Sequence, residues 1–323
     1  MSAAAGAEPV LRAAGPGVEA ALARVEERLA ELAAGHGSLL ARHAGATIAA
    51  GGKRLRPLLV LLAAGERASG GQEALRAAVA VELVHSATLV HDDVLDASAL
   101  RRGRPTVWSR AGREMATATG DLLFSRAFAE LAQGDRTDQV RVLSDASSAL
   151  ARGELMQRAD AWDAGIGTER YLRRCELKTA RLFEAACRLG ALAGGSHDAE
   201  LGAFGRRIGL AFQLLDDVLD VSGPPERTGK PRGTDLLDGT VTLPLILARE
   251  RDPAIAAADL RELSGEAAAA EVCDAIAATG ALEDARRRAL AIAGEATASL
   301  PDLPADRREA FALLAEGVVD RYA

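Results

Sequence analysis

Asp92-Asp93-Val94-Leu95-Asp96 recurs unchanged as Asp216-Asp217-Val218-Leu219-Asp220. Each copy closes an apolar segment: Ala87-Thr88-Leu89-Val90-His91 before the first, and Ala211-Phe212-Gln213-Leu214-Leu215 before the second. On a helix Asp92 and Asp96 stack one turn apart, as do Asp216 and Asp220. Asp93 and Asp217 lie about 100° round from the first acid of each set. Like charges stacked in this way cost a helix a few tenths of a kcal/mol, and more once desolvated. Two such clusters on helices otherwise built of Leu, Val and Phe are therefore read as cation sites. Carboxylate-only donors are hard oxygens, which suit Mg²⁺, an ion that completes its shell with water and substrate phosphate.

The surrounding chain has 323 residues, a formal net charge of −7 and 49% hydrophobic residues, enough for a substantial core. Its acidic balance argues against nucleic acid as a partner. Aromatics are 3% and Ala and Leu dominate, a helix-forming vocabulary. Cys175, Cys187 and Cys273 match no zinc spacing and are read as reduced thiols of a cytoplasmic protein. Residues 1–17 are Ala/Gly-rich with no signal-peptide pattern, and are expected to be a disordered tail. No uncharged apolar run is long enough to cross a bilayer, so no integral membrane segment is expected.

Taken in order, residues 17–34 carry Val18, Leu22, Val25, Leu29 and Leu32 at helical spacing. A second helix starts near Ser38 and breaks at Gly51-Gly52. Lys53-Arg54-Leu55-Arg56-Pro57 follows, three cations at a helix start and so a fitting anion cradle. Residues 72–96 form a long helix, and Arg101-Arg102-Gly103-Arg104-Pro105 a basic loop. The helix over 113–132 carries a small-residue run, Ala116 to Gly120, that admits a close neighbour. Helices are predicted over 137–158 and 168–192, the latter N-capped by Thr168 and holding Lys178-Thr179. Another spans 199–221, then a Pro/Gly-rich loop with Gly229-Lys230, then five or so further helices. No run alternates like a strand, so the class is all-α: one large helical bundle over 18–323 with a central apolar cavity and the acidic helix ends facing each other across its mouth.

Two aspartate clusters, a Gly-Lys-Arg-x-Arg-Pro turn, an Arg-Arg-Gly loop, Lys-Thr and Gly-Lys together resemble the trans-isoprenyl diphosphate synthases, or polyprenyl synthetases, an isoprenoid-synthase bundle family. The matches run from Gly51 to about Pro244. The resemblance implies head-to-tail condensation of isopentenyl diphosphate with an allylic diphosphate, at a site of about three Mg²⁺ ions. By position, Asp92, Asp96 and Asp216 would hold metal, with Asp217 and Asp220 in the same metal set and Asp93 supporting. Arg101, Lys178 and Lys230 would grip the allylic diphosphate, and Thr179 and Gln213 would line the reacting centre. Gly52, Lys53, Arg56, His85 and Arg102 would bind isopentenyl diphosphate. A homodimer is the family's usual state. One departure stands out: Thr240 occupies a position where many members carry a Lys that adds charge to the allylic phosphate grip.

Thr88 and Ala87, four and five residues before Asp92, point toward the space a growing tail must enter, and both are small. One helical turn rises about 5.4 Å, close to one extended isoprene unit. With Phe124 or Phe128 as a floor across that space, products longer than about four units are expected. The alternatives are a farnesyl or geranylgeranyl diphosphate synthase, a class I terpene cyclase, or a non-catalytic synthase subunit. A cyclase would mix Asn, Ser or Thr with Glu in its second metal site and carry more aromatics. A non-catalytic subunit would be expected to lose acids, and here all six stand.

Overall fold

A computed structural model of the chain describes residues 8–35, 37–49, 52, 54–65, 70–101, 103–223 and 231–320. The described residues are almost wholly helical. Two compact units emerge from the packing. The first comprises residues 1–147, 182–205 and 299–317, and the second residues 148–181, 206–298 and 318–323.

In the first unit the chain runs through α1 (Glu8–Ala14), α2 (Pro16–Ala34), α3 (Ser38–Ala49), α4 (Leu55–Ala64) and α5 (Gln72–Leu95). The sequence expectation of a disordered tail through residue 17 is corrected here. Glu8–Ala14 is helical, packs on α2 and buries Val10, while Gly15 at φ 85° supplies the joint between them. Residues 1–7 lie outside the described residues. In α4 every residue from Pro57 to Ala64 is buried, and α5 is buried over most of its length, as expected of helices that are apolar all round. Where the later helix carrying Gly190 crosses α4, a Cβ on Gly190 would fall 2.1 Å from the Val60 carbonyl oxygen, so only glycine lets the two approach so closely.

After α5, Leu100–Arg101 (β1) and Arg104–Pro105 (β2) pair antiparallel, turning at Gly103 (φ 71°). The sequence pattern predicts only a loop here. Two-residue strands are too short to show alternation. Thr106 then caps α6 (Val107–Ala132) by accepting a hydrogen bond from the Ser109 N–H, and its hydroxyl donates to the Ser98 carbonyl at 2.7 Å. Within α6 the backbone breaks at Gly112 (φ 83°). The expected small-residue contact is present: Ala116, Thr119 and Gly120 are buried, and a Cβ on Gly120 would lie 2.2 Å from His91 Nε2 on α5.

Next come α7 (Thr137–Asp160), α8 (Thr168–Cys175), a π-helical turn (Glu176–Ala180), α9 (Arg181–Gly194) and α10 (Asp198–Ser222). The expected single helix over 168–192 is thus interrupted. Gly167, in extended conformation, is its N-cap, and Thr168 is the first helical residue instead of the cap. The second unit continues with α11 (Thr234–Leu237), α12 (Leu243–Arg251), α13 (Pro253–Ala257), a 3₁₀ turn (Leu260–Glu262), α14 (Glu266–Ala278) and α15 (Ala281–Ala298); α16 (Ala305–Asp320) closes the chain. All three cysteines are buried and unpaired, and burial raises each thiol above its ordinary range, Cys273 to about 11. Among the described residues no helix is long and apolar enough to cross a membrane.

Candidate active site

The first acid cluster ends α5. Asp96 is its C-cap, and its N–H donates to the Asp92 carbonyl at 2.8 Å. A helix C-terminus carries partial negative charge, so acids placed there favour a cation beyond what their own charge supplies. Asp92 is half-buried and Asp96 exposed, whereas Asp93 is buried. The partner of Asp93 is Arg101 on β1, whose Nε donates to Oδ1 at 2.6 Å. Burial raises the Asp93 carboxyl above its ordinary range; Arg101 opposes the rise and Asp96 adds to it. The hairpin therefore fixes Arg101 against the cluster through a charge-assisted bond. Beside this pair lies a cavity of about 320 Å³ whose lining includes Leu89, Asp93, Arg101, Arg104 and Arg110. Its guanidinium-rich lining suits an anionic group.

The basic turn opens α4. Arg54, its N-cap, is buried in a left-handed conformation, and Arg56 places its guanidinium 4.5 Å from the Phe183 ring centroid. His85 sits half-buried on α5, two turns before Asp92, and its carbonyl accepts the Thr88 hydroxyl at 2.8 Å. Ala87 is fully buried and Thr88 half-buried. Phe124 stacks on His91 with ring centroids 5.8 Å apart, which sets it level with the start of the acid cluster. Lys53, Arg102 and Lys230 lie outside the described residues.

In the second unit, three sequence-selected residues, Thr179, Gln213 and Asp217, join Tyr171 in one network. The Thr179 hydroxyl donates to Gln213 Oε1 at 2.7 Å, Gln213 Nε2 donates to Asp217 Oδ1 at 2.8 Å, and the Tyr171 hydroxyl donates to Asp217 Oδ2 at 2.6 Å. Asp217 is buried with both oxygens engaged, and its carboxyl is pushed up to about 6 by burial, against the pull of those hydrogen bonds. Asp216 is half-buried. Asp220 is buried, and its Oδ2 accepts the Asp235 N–H at 3.2 Å, tying the returning chain to α10.

Lys178 and Thr179 stand on the π turn, where the Arg181 N–H reaches back five residues to the Glu176 carbonyl. Such turns recur at functional sites. Gly153 of α7 makes room for it: a Cβ there would fall 2.5 Å from the Lys178 backbone nitrogen. Lys178 Nζ meets Glu154 at 2.5 Å and Gln157 at 3.1 Å. Burial pushes Glu154 up, but Lys178 and Arg158 outweigh it and hold the carboxyl below its ordinary range. Thr240 donates its N–H to the Asp235 carbonyl, and Arg174 donates to the carbonyl of Val241, the next residue, at 2.5 Å. Tyr171, Glu154, Gln157 and Arg174 were not selected from the sequence. The segment Gly153 to Gln157 falls within the helix predicted over 137–158, but its meeting with Lys178 depends on a contact between two helices.

A metal ion suits these donors. Among the described residues no three His, Cys, Asp or Glu side chains form a ready-made cage. Mg²⁺ needs none, since one or two carboxylates with water and phosphate satisfy it. Asp92 and Asp96 in the first unit, and Asp216 in the second, are the acids whose partial or full exposure fits that duty.

Comparison with known proteins gives a consistent result. The polyprenyl synthetase family profile matches residues 38–279. The chain is 41% identical over 273 residues to heptaprenyl diphosphate synthase component 2 of Geobacillus stearothermophilus, covering 81% of this chain and 85% of that protein. It is 38% identical over 282 residues to octaprenyl diphosphate synthase of Escherichia coli, covering 85% and 87%. Among solved structures, polyprenyl synthase from Caulobacter crescentus, complexed with calcium and isoprenyl diphosphate, superposes with a TM-score of 0.91 at 36% identity, covering 98% of each chain.

Proposed function

Since the chain belongs to the polyprenyl synthetase family, the trans-isoprenyl diphosphate synthases, we propose that it condenses isopentenyl diphosphate head-to-tail with an allylic diphosphate, making trans-polyprenyl diphosphates of more than about four units. The observation that carries this reading is a division of labour repeated in both clusters. The second aspartate of each, Asp93 or Asp217, is buried and tied to a protein donor at 2.6 Å. Asp92, Asp96 and Asp216 stay at least partly exposed. Those three are proposed as the metal ligands, with Asp93, Asp217 and Asp220 holding the clusters in shape.

Mg²⁺, when bound, neutralises the leaving diphosphate. The chain's own residues do the rest. Arg101 and Lys178, with Lys230, bind the allylic diphosphate as its carbon–oxygen bond breaks, so that charge developing on the leaving group meets fixed cations. Thr179 and Gln213 face the reacting carbons with neutral dipoles, orienting without competing for the carbocation. Gly52, Lys53, Arg56, His85 and Arg102 hold isopentenyl diphosphate, whose double bond attacks the allylic carbon before a proton is lost. Arg174 supplies a guanidinium at the turn where Thr240 replaces the usual Lys. The family match takes in parts of both compact units, which supports reading them as one synthase domain. A cytoplasmic homodimer completes the proposal; sedimentation equilibrium tests the dimer.

The length assignment rests on the small Ala87 and Thr88 and on relatives named for seven- and eight-unit products. Incubation with Mg²⁺, isopentenyl diphosphate and each short allylic diphosphate, read by mass spectrometry, is expected to yield products beyond about four units. Products stopping at three or four units would overturn the length assignment and keep the synthase. Absence of elongation would overturn the function.

A further inference from the structure

Arg54, in the basic turn, is buried. It is 9% exposed and holds φ 47°, ψ 35°. A branchless glycine adopts that conformation readily, but an arginine does so at a cost and keeps it only where its surroundings over-determine it. Here they do. Its Nε and one Nη donate to Glu26 of α2 at 2.5 and 3.0 Å, and the other Nη donates to Glu82 of α5 at 2.6 Å. A fourth hydrogen bond goes to the Ile48 carbonyl at the end of α3, at 3.0 Å. One guanidinium thus pins the start of α4 to three other helices, all within the first unit.

A buried guanidinium held by one buried and one half-exposed carboxylate is a poor means of gaining stability. Apolar side chains of like volume often serve as well or better. What the arrangement does provide is fixed geometry. Glu82, 4% exposed, lies three residues before His85 on α5 and so shares its face of the helix. Arg54 lies two residues before Arg56. The Arg54–Glu82 bond therefore sets the spacing between the basic turn and His85. These come from separate helices and must converge on one diphosphate.

We propose that Glu82 and Glu26, acting through Arg54, are positioning residues for the homoallylic substrate. They hold the basic turn and His85 in register for isopentenyl diphosphate and touch no substrate themselves. This rests on the reading that the turn binds that substrate. Among the described residues the hydrogen bonds of the triad reach Ile48 and one another but not Arg101, Lys178 or the second acid cluster, so its effect is expected to fall on one of the two substrates.

The test is steady-state kinetics with each substrate varied in turn, on Glu82→Gln, Glu26→Gln and Arg56→Ala. Glu82→Gln keeps the shape and removes the charge; the KM for isopentenyl diphosphate is expected to rise about tenfold, with the allylic KM and kcat within about twofold to threefold. Glu26 is half-exposed, so Glu26→Gln keeps the test available if Glu82→Gln does not fold, with a rise of about threefold expected. Arg54→Lys, which cannot bridge two carboxylates and a carbonyl, should show the same selective defect without rescue. An unchanged KM in both glutamine variants, or equal losses for both substrates, would overturn the proposal while a raised KM in Arg56→Ala kept the substrate assignment. An unchanged KM in Arg56→Ala would remove the turn from the substrate site, and the proposal with it.

Discussion

The Tyr171 hydroxyl and Asp217 Oδ2 are 2.6 Å apart, both buried, and the phenol is the donor. Desolvation, and the negative charge beside it, raise the Tyr171 phenol well above its ordinary range, so it stays protonated and keeps donating. Tyr171→Phe would leave one oxygen of a buried carboxylate without that donor, at a cost of about 1–3 kcal/mol. Its expected signature is a higher Mg²⁺ concentration for half-maximal activity, read from titrations at saturating substrates.

Metal-free protein should lose stability as pH rises through about 6, the Asp217 value. The sign follows from burial, which lifts this carboxyl above the ordinary carboxylate range near 4. The fold then binds a proton more tightly than the unfolded chain does. The contribution is complete below about pH 4 and disappears as pH passes through 6. Thermal unfolding in a chelator, at intervals from pH 5 to 7, should show a falling midpoint, and Asp217→Asn should flatten it.

Asp92→Asn, Asp96→Asn and Asp216→Asn should each lower kcat by about a hundredfold or more, because ions placed at the leaving group act mainly in the transition state. Asp93→Asn should cost less in kcat and more in allylic KM, since it releases Arg101. Single-turnover rates with excess Mg²⁺ separate these outcomes.

Gly153→Ala tests the π turn. The added methyl meets the Lys178 backbone, so Lys178 and Thr179 must shift together. The expected result is a loss of about tenfold or more in kcat/KM for the allylic substrate, with the isopentenyl diphosphate KM unchanged. Equal loss for both substrates would count against a local displacement.

Ala87→Phe should shorten the product. Ala87 is fully buried, so the ring also overpacks the core by about 1–3 kcal/mol. Product lengths are therefore compared at a temperature where circular dichroism shows the variant folded. Unchanged length would sink the assignment of Ala87 to the tail's path.

Much of this was legible because periodicity and acid spacing are local properties. The stripe on α2 was readable to within a residue: Val18, Val25 and Leu29 are buried as expected, with Ala21 and Ala33 taking the places given to Leu22 and Leu32. What escaped depends on distant partners. Pro9-Val10-Leu11 carries too little pattern within an Ala/Gly tail to announce α1, which owes its place to α2. The π turn is set by a glycine on another helix. Arg54 reads as a third substrate cation until Glu26 and Glu82, 28 residues away on either side, are seen to claim it.

The three buried thiols make the chain its own reporter of opening. A thiol shielded from water and held protonated reacts slowly with alkylating reagents, because the thiolate is the nucleophile. Labelling of the native protein should therefore proceed at the rate at which the surrounding helices part. Cys187 belongs to one compact unit, and Cys175 and Cys273 to the other. Peptide mapping of the alkyl tags over time would thus show which unit opens first, with no engineered probe.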